Sequence, residues 1–122
     1  MPLQVQQASI VAWNDEAHVL ANRDAYRAKF AAVTEVLAPV MDFAAPEASF
    51  YLWPAVPDGD DEAFARALFA EQHVTVLPGR YMSRETPGGN PGAGRVRLAL
   101  VAGTEATVEA AGRIRRFIER RY

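Results

Sequence analysis

Residues 74–101 read VTVLPGRYMSRETPGGNPGAGRVRLALV. The opening VTVL is apolar and largely β-branched, and Pro78-Gly79 stops it, which marks a short strand at residues 74–77. A polar loop then carries Arg80, Arg84 and Asn90. Its tip, TPGGNPGAG at residues 86–94, holds four Gly and two Pro in nine residues, the composition of a flexible loop or lid tip. A second strand covers residues 95–101, and Gly103 ends it. Arg97 lies inside that strand among residues that read as core. A cation there is costly unless something anionic meets it, and Arg is the side chain best shaped to grip a carboxylate with two parallel hydrogen bonds. The stretch predicts a carboxylate receptor at a strand–loop junction. The strand alone leaves two other readings open for Arg97, that it satisfies an internal acid or that it lies on an outward face.

Working outward, residues 3–13 are weakly helical and rich in small residues. Asn14-Asp15-Glu16 is a helix start, with a capping residue and an acid in the first turn. Tyr26, Phe30, Val33 and Leu37 then fall on one apolar face of a long helix. Arg23, Asp24, Arg27 and Lys29 fall on its wetter side, and Pro39 ends it. ASFYLW at residues 48–53 is a short aromatic strand closed by Pro54. Asp60, Asp61 and Glu62 begin a second helix, where negative charge is favoured, with Phe64, Ala67 and Leu68 on its buried face. Thr104 caps a last helix whose apolar face is Val108, Ala111, Ile114 and Phe117 or Ile118. The order predicts an α/β (α+β) two-layer sandwich, a small sheet of about three strands packed with helices and led by a long N-terminal helix.

The bulk composition narrows the function. The 122 residues make about one domain, and half of them are apolar. A net charge of −2 gives no reason to expect nucleic acid or an anionic membrane as partner. No cysteine is present, which excludes disulfide scaffolds, zinc knuckles and thiol chemistry and suits a cytoplasmic protein. No segment reaches the roughly 18 consecutive apolar residues of a membrane helix. The basic residues are twelve Arg and a single Lys, Lys29.

Taken together, Ser49-Phe50-Tyr51-Leu52-Trp53, Val76-Leu77-Pro78-Gly79 and Arg95-Val96-Arg97-Leu98-Ala99 resemble the C-terminal small domain of class I/II, fold-type I pyridoxal-phosphate aminotransferases. The likeness covers nearly the whole chain. Within that family AWNDEAHV, VLPGRYMSRE and NPGAGRVRLALVA are most similar to the N-succinyldiaminopimelate aminotransferases of lysine biosynthesis. The resemblance implies that Arg97 binds the substrate α-carboxylate. It also implies a larger preceding domain, absent from this chain, carrying the Schiff-base lysine, the Asp that pairs with the pyridinium nitrogen and most phosphate-binding groups. Lys29, on an amphipathic helix, has no strand–loop context for that role. On this reading no catalytic or cofactor-binding residue lies in the chain, and pyridoxal phosphate belongs to the parent enzyme. The same resemblance implies a cytoplasmic, homodimeric parent, and this chain alone is expected to be an inactive, truncated fragment prone to self-association through the face its large domain would cover.

Other residues leave alternatives open. Arg80 and Arg84 either meet the distal carboxylate of a diacid substrate or are solvated loop arginines. Asn90 either positions the loop or is an ordinary turn residue. Arg95 shares a strand face with Arg97 and is expected at the strand end, in water. Tyr81 reads as a buried anchor. His18 and His73 lack metal-ligand spacing, and the acids at residues 58–62 lack that of a calcium loop. Two further classes of function fit the same residues, a free-standing carboxylate-sensing module and a non-catalytic interaction domain.

Overall fold

The computed structural model describes residues 1–122. Two helices, α1 (Leu3–Asn14) and α2 (Glu16–Leu37), are separated by Asp15, whose φ of −92° and ψ of 88° leave the helical region. The Asp15 carboxylate accepts from the Ala17 amide at 3.1 Å, which starts α2 where the sequence places it. Nothing in α1 is buried. After the turn at Pro39 come β1 (Tyr51–Leu52), α3 (Asp61–Gln72), β2 (Leu77–Pro78), a 3-10 turn (Gly79–Met82), β3 (Val96–Ala99) and α4 (Thr104–Arg121). The strands form one antiparallel sheet in the order β1-β3-β2. The expected two-layer α/β architecture holds. No helix is long and apolar enough to cross a membrane.

Each strand is shorter than its apolar run. Ser49 has a φ of 104°, a turn conformation that keeps Ala48 and Ser49 out of the ladder. Pro78 is the last residue of its strand rather than the first residue after it. It lies on edge strand β2, opposite Val96, where a missing N–H is tolerated. The next amide, Gly79, donates to the Arg95 carbonyl at 2.7 Å and extends the pairing.

Val96, Leu98 and Leu100 point from the sheet into a core shared with Val33 and Leu37 of α2, Phe64 and Leu68 of α3, and Ile114, Phe117 and Ile118 of α4. The Phe64 and Phe117 rings meet edge to face with centroids 5.5 Å apart, a favoured aromatic geometry. Two sequence expectations fail here. Lys29 is not on the wet side but buried. It stands one turn before Val33 on the same stripe, its Nζ donating to the Leu100 carbonyl at 3.1 Å and lying 4.8 Å from the Tyr26 ring centroid. The long aliphatic stem explains this, since it covers apolar surface while the ammonium finds a carbonyl. The N-cap of α4 is Gly103, not Thr104. The hydroxyl at that end is Thr107, which donates to the Ala102 and Gly103 carbonyls. The acids that open α3 divide their work. Asp60 caps the helix through the Ala63 amide at 3.1 Å, while Asp61 turns inward and is wholly inaccessible.

Candidate functional site

Side chains alternate across a strand. Since Val96 and Leu98 face the core, Arg97 and Ala99 face the other side of the sheet, which no helix covers. Leu77 lies opposite Arg97 on β2, and Tyr51 lies opposite Ala99 on β1. Arg97 therefore does not sit in the core, and the desolvation cost read from its apolar neighbours does not arise. It is half-buried on an open face. Its guanidinium has two neighbours, the Met82 sulfur 3.8 Å from Nη1 and the Tyr51 ring with its centroid 5.7 Å away. No carboxylate of the chain pairs with it, so the internal-acid alternative falls away. An arginine held against a ring and a thioether, with only the weak sulfur acceptor on its donors, is equipped to take an anion from outside the domain.

The other candidates separate sharply. The guanidinium of Arg80 is already engaged. Nε donates to Asp61 at 2.7 Å, Nη1 to Glu62 at 3.1 Å, and Nη2 lies 2.7 Å from Asp61 and 3.8 Å from Asp60. Arg80 is thus neither a solvated loop residue nor a free anion receptor. Arg84 is exposed and makes no hydrogen bond or ion pair within the chain. Asn90 organises the loop: its Oδ1 accepts from the Ser83 hydroxyl and the Gly92 amide, and its Nδ2 donates to the Arg80 carbonyl at 3.4 Å. Arg95 is not in water at a strand end, because Nη1 donates to the Trp53 carbonyl at 2.9 Å. Tyr81 is exposed, and its hydroxyl donates to Glu62. That hydrogen bond, with Glu62's negative charge nearby and some burial, raises the Tyr81 pKa.

Asp61 is the residue that sequence reasoning missed. Burial pushes its carboxyl up, but the Arg80 amide and guanidinium and the Gly94 amide outweigh burial and hold it below the usual carboxylate range. In the sequence it is one of three consecutive acids at a helix start, and its partners stand 19 and 33 residues away. The one local hint is that Asp60 already fills the cap position, leaving Asp61 without a local task. The glycine-rich stretch is correspondingly less free than its composition predicts. Gly79 and Gly92 press backbone to backbone, so a Cβ on either would overlap the carbonyl of the other. Beside them Trp53, Met82, Ser83 and Pro91 line a cleft of about 170 Å³.

The site is thus a small antiparallel sheet backed by helices, bearing an arginine without an ion-pair partner on its bare face beside a glycine-built loop. A family model for class I and II aminotransferases matches residues 1–114, and the chain belongs to that family. It is 36% identical over 114 residues to LL-diaminopimelate aminotransferase of Aquifex aeolicus, covering 91% of this chain and 28% of that protein. Among solved structures, an aminotransferase from Neisseria meningitidis is 51% identical and superposes over 97% of this chain and 30% of its own with a TM-score of 0.94. A probable N-succinyldiaminopimelate aminotransferase from Thermus thermophilus is 39% identical, over 76% of this chain and 24% of its own, with a TM-score of 0.63. The chain thus spans less than a third of the length of the relatives it matches.

The residues present do not fit pyridoxal phosphate, the cofactor that the family implies. A lysine amine is required to bind it covalently. The single lysine, Lys29, is buried on the helical side of the sheet with its ammonium on the Leu100 carbonyl, while Arg97 faces the opposite side.

Proposed function

We propose that this chain is the C-terminal small domain of a pyridoxal-phosphate-dependent aminotransferase, and that Arg97 is its receptor for the α-carboxylate of the amino-acid and keto-acid substrates. The observation that carries the reading is the unpaired, half-buried guanidinium of Arg97 on the open face of the central strand. Two parallel N–H donors meet the two carboxylate oxygens, and the Tyr51 ring restricts how the guanidinium can turn. Holding the carboxylate in this way fixes the orientation of the substrate Cα, a positioning contribution to the reaction. The cofactor, its lysine and the proton-transferring groups belong to a larger domain outside these 122 residues, and the isolated chain has no transaminase activity.

For the substrate, the LL-diaminopimelate names among the relatives support a diaminopimelate-type amino acid, and the name of the Thermus thermophilus neighbour supports its N-succinyl form, with an amino group exchanged between glutamate and N-succinyl-2-amino-6-ketopimelate. Arg84, with its donors free on the same loop that carries Met82 to Arg97, is the residue we assign to the distal succinyl carboxylate. Asn90 acts indirectly by shaping that loop. Arg80, whose donors are spent on acids of α3, is left out of substrate binding.

The test is the enzyme that contains this domain, assayed with glutamate as amino donor. Arg97→Lys keeps the charge and removes the fork. Losing one charge-assisted hydrogen bond lowers kcat/KM by about 10- to 100-fold. Unchanged catalytic efficiency removes Arg97 from substrate binding.

A further inference from the structure

The Asp61 carboxylate joins two segments that are far apart in sequence and adjacent to Arg97 in space. Its Oδ2 accepts from the Arg80 amide at 3.0 Å, and its Oδ1 accepts from Arg80 Nε at 2.7 Å and from the Gly94 amide at 3.2 Å. Arg80 stands two residues after β2 and Gly94 two residues before β3, so one buried side chain gathers both ends of the intervening loop. Two residues beyond Arg80 is Met82, whose sulfur touches the Arg97 guanidinium. Three residues beyond Gly94 is Arg97 itself. A second tie runs from the same helix end, where Glu62 takes both Arg80 Nη1 and the Tyr81 hydroxyl.

These bonds are unnecessary for α3, which is already capped by Asp60. An acid serving only the helix dipole would stand exposed at the first turn. Asp61 instead has 0% of its surface accessible and directs every acceptor contact toward Arg80 and Gly94, apart from those its own backbone supplies. The Gly79–Gly92 backbone contact lies at the neck of the same loop, with the Trp53 ring beside Gly79.

The geometry points to Asp61 as the positioning residue for Arg97: it latches the two ends of the 80–94 loop to α3 and so fixes Met82 and the root of β3 around the guanidinium. This rests on the reading of Arg97 as a carboxylate receptor. Asp61 touches no substrate. It acts by holding the strand and turn that aim Arg97, where a displacement of about 1 Å is worth up to a hundredfold in a positioned contact.

The experiment uses this 122-residue chain with [13C-methyl]methionine and 15N-arginine labels, and glutarate as the carboxylate probe. Four proteins are compared: the wild type, Asp61→Asn, Asp60→Asn and Arg97→Lys. Asn is as good a cap as Asp, so Asp60→Asn keeps both the wild-type affinity and the wild-type Met82 methyl and Arg97 Nε–H resonances. Asp61→Asn moves both resonances and weakens glutarate at least about tenfold. A folded Asp61→Asn variant with both resonances and the affinity unchanged overturns the latch. If the wild type binds no glutarate, or Arg97→Lys binds it equally well, the carboxylate reading of Arg97 fails. The latch is then decided by the resonances alone, moved in its favour or unmoved against it. Should Asp61→Asn not fold, Arg80→Lys replaces it, since it loses the Nε bond but keeps a cation for Asp61. Displaced Met82 and Arg97 resonances are then expected, and unmoved ones refute the latch.

Discussion

Gly92→Ala and Gly88→Ala alter two glycines of one glycine-rich loop and are expected to act in opposite directions. Neither position has a positive φ, so backbone conformation does not separate them. The surroundings do. A Cβ at residue 88 meets only the Thr86 hydroxyl at 3.8 Å, an ordinary contact, whereas one at residue 92 overlaps the Gly79 carbonyl and the Ser83 hydroxyl. Both Gly79 and Gly92 are buried, so the overlap is relieved only by moving backbone. That movement puts two hydrogen bonds at risk, Gly79 to the Arg95 carbonyl at 2.7 Å and Gly92 to Asn90 at 2.9 Å. Each is worth about 1 kcal/mol, and more if a buried partner is left unsatisfied. Against this, replacing glycine lowers unfolded-state entropy and stabilises by about 0.4–1 kcal/mol. Gly88→Ala therefore stabilises by that small amount, while Gly92→Ala destabilises by about 2–4 kcal/mol. For a domain of this size that is a fall in Tm of roughly 6–20 °C. Differential scanning calorimetry of the two variants beside the wild type measures it. Equal Tm values would refute the close packing of the 79 and 92 backbones and restore the loop as a freely flexible tip.

Acid should unfasten the domain through Asp61. Its folded pKa lies below the ordinary value of 3.8. The stability it contributes is therefore complete above about pH 4 and is lost as pH falls through the lower folded value. Thermal unfolding between pH 2 and 6 should show this acid loss in the wild type and a shallower one in Asp61→Asn, and parallel curves would contradict it. Pyridoxal phosphate added to the chain should produce no absorbance band that Lys29→Ala abolishes, because the Nζ is engaged in the core. A band that disappears in that variant would place the cofactor lysine inside these residues.

The parts of the fold legible in the sequence are those set by local periodicity and turn chemistry. Val33 and Leu37, the Phe64–Leu68 pair and the Ile114–Phe117 face follow from helical spacing, and Asp15 is a cap by residue type and position. Arg97 was legible as exceptional because a charge interrupts an apolar strand, although alternation places it on the bare face rather than in the core. The remainder depends on distant partners. Lys29 reads as a surface residue until Leu100, 71 residues away, supplies a carbonyl. Asp61 and Arg80 read as a helix-start acid and a loop cation because nothing local announces that helix and loop meet. The glycine-rich tip reads as flexible because composition records conformational freedom but not the backbone contact that glycine permits.

The carboxylate role of Arg97 is tested most directly by a crystal structure of the enzyme containing this domain with a substrate or keto acid bound. The expected result is an α-carboxylate on the open face of β3, between Tyr51 and Met82, with two oxygens about 2.7–2.9 Å from the Arg97 nitrogens. A bound substrate whose α-carboxylate is held by other residues, with Arg97 still against the Met82 sulfur, would contradict it.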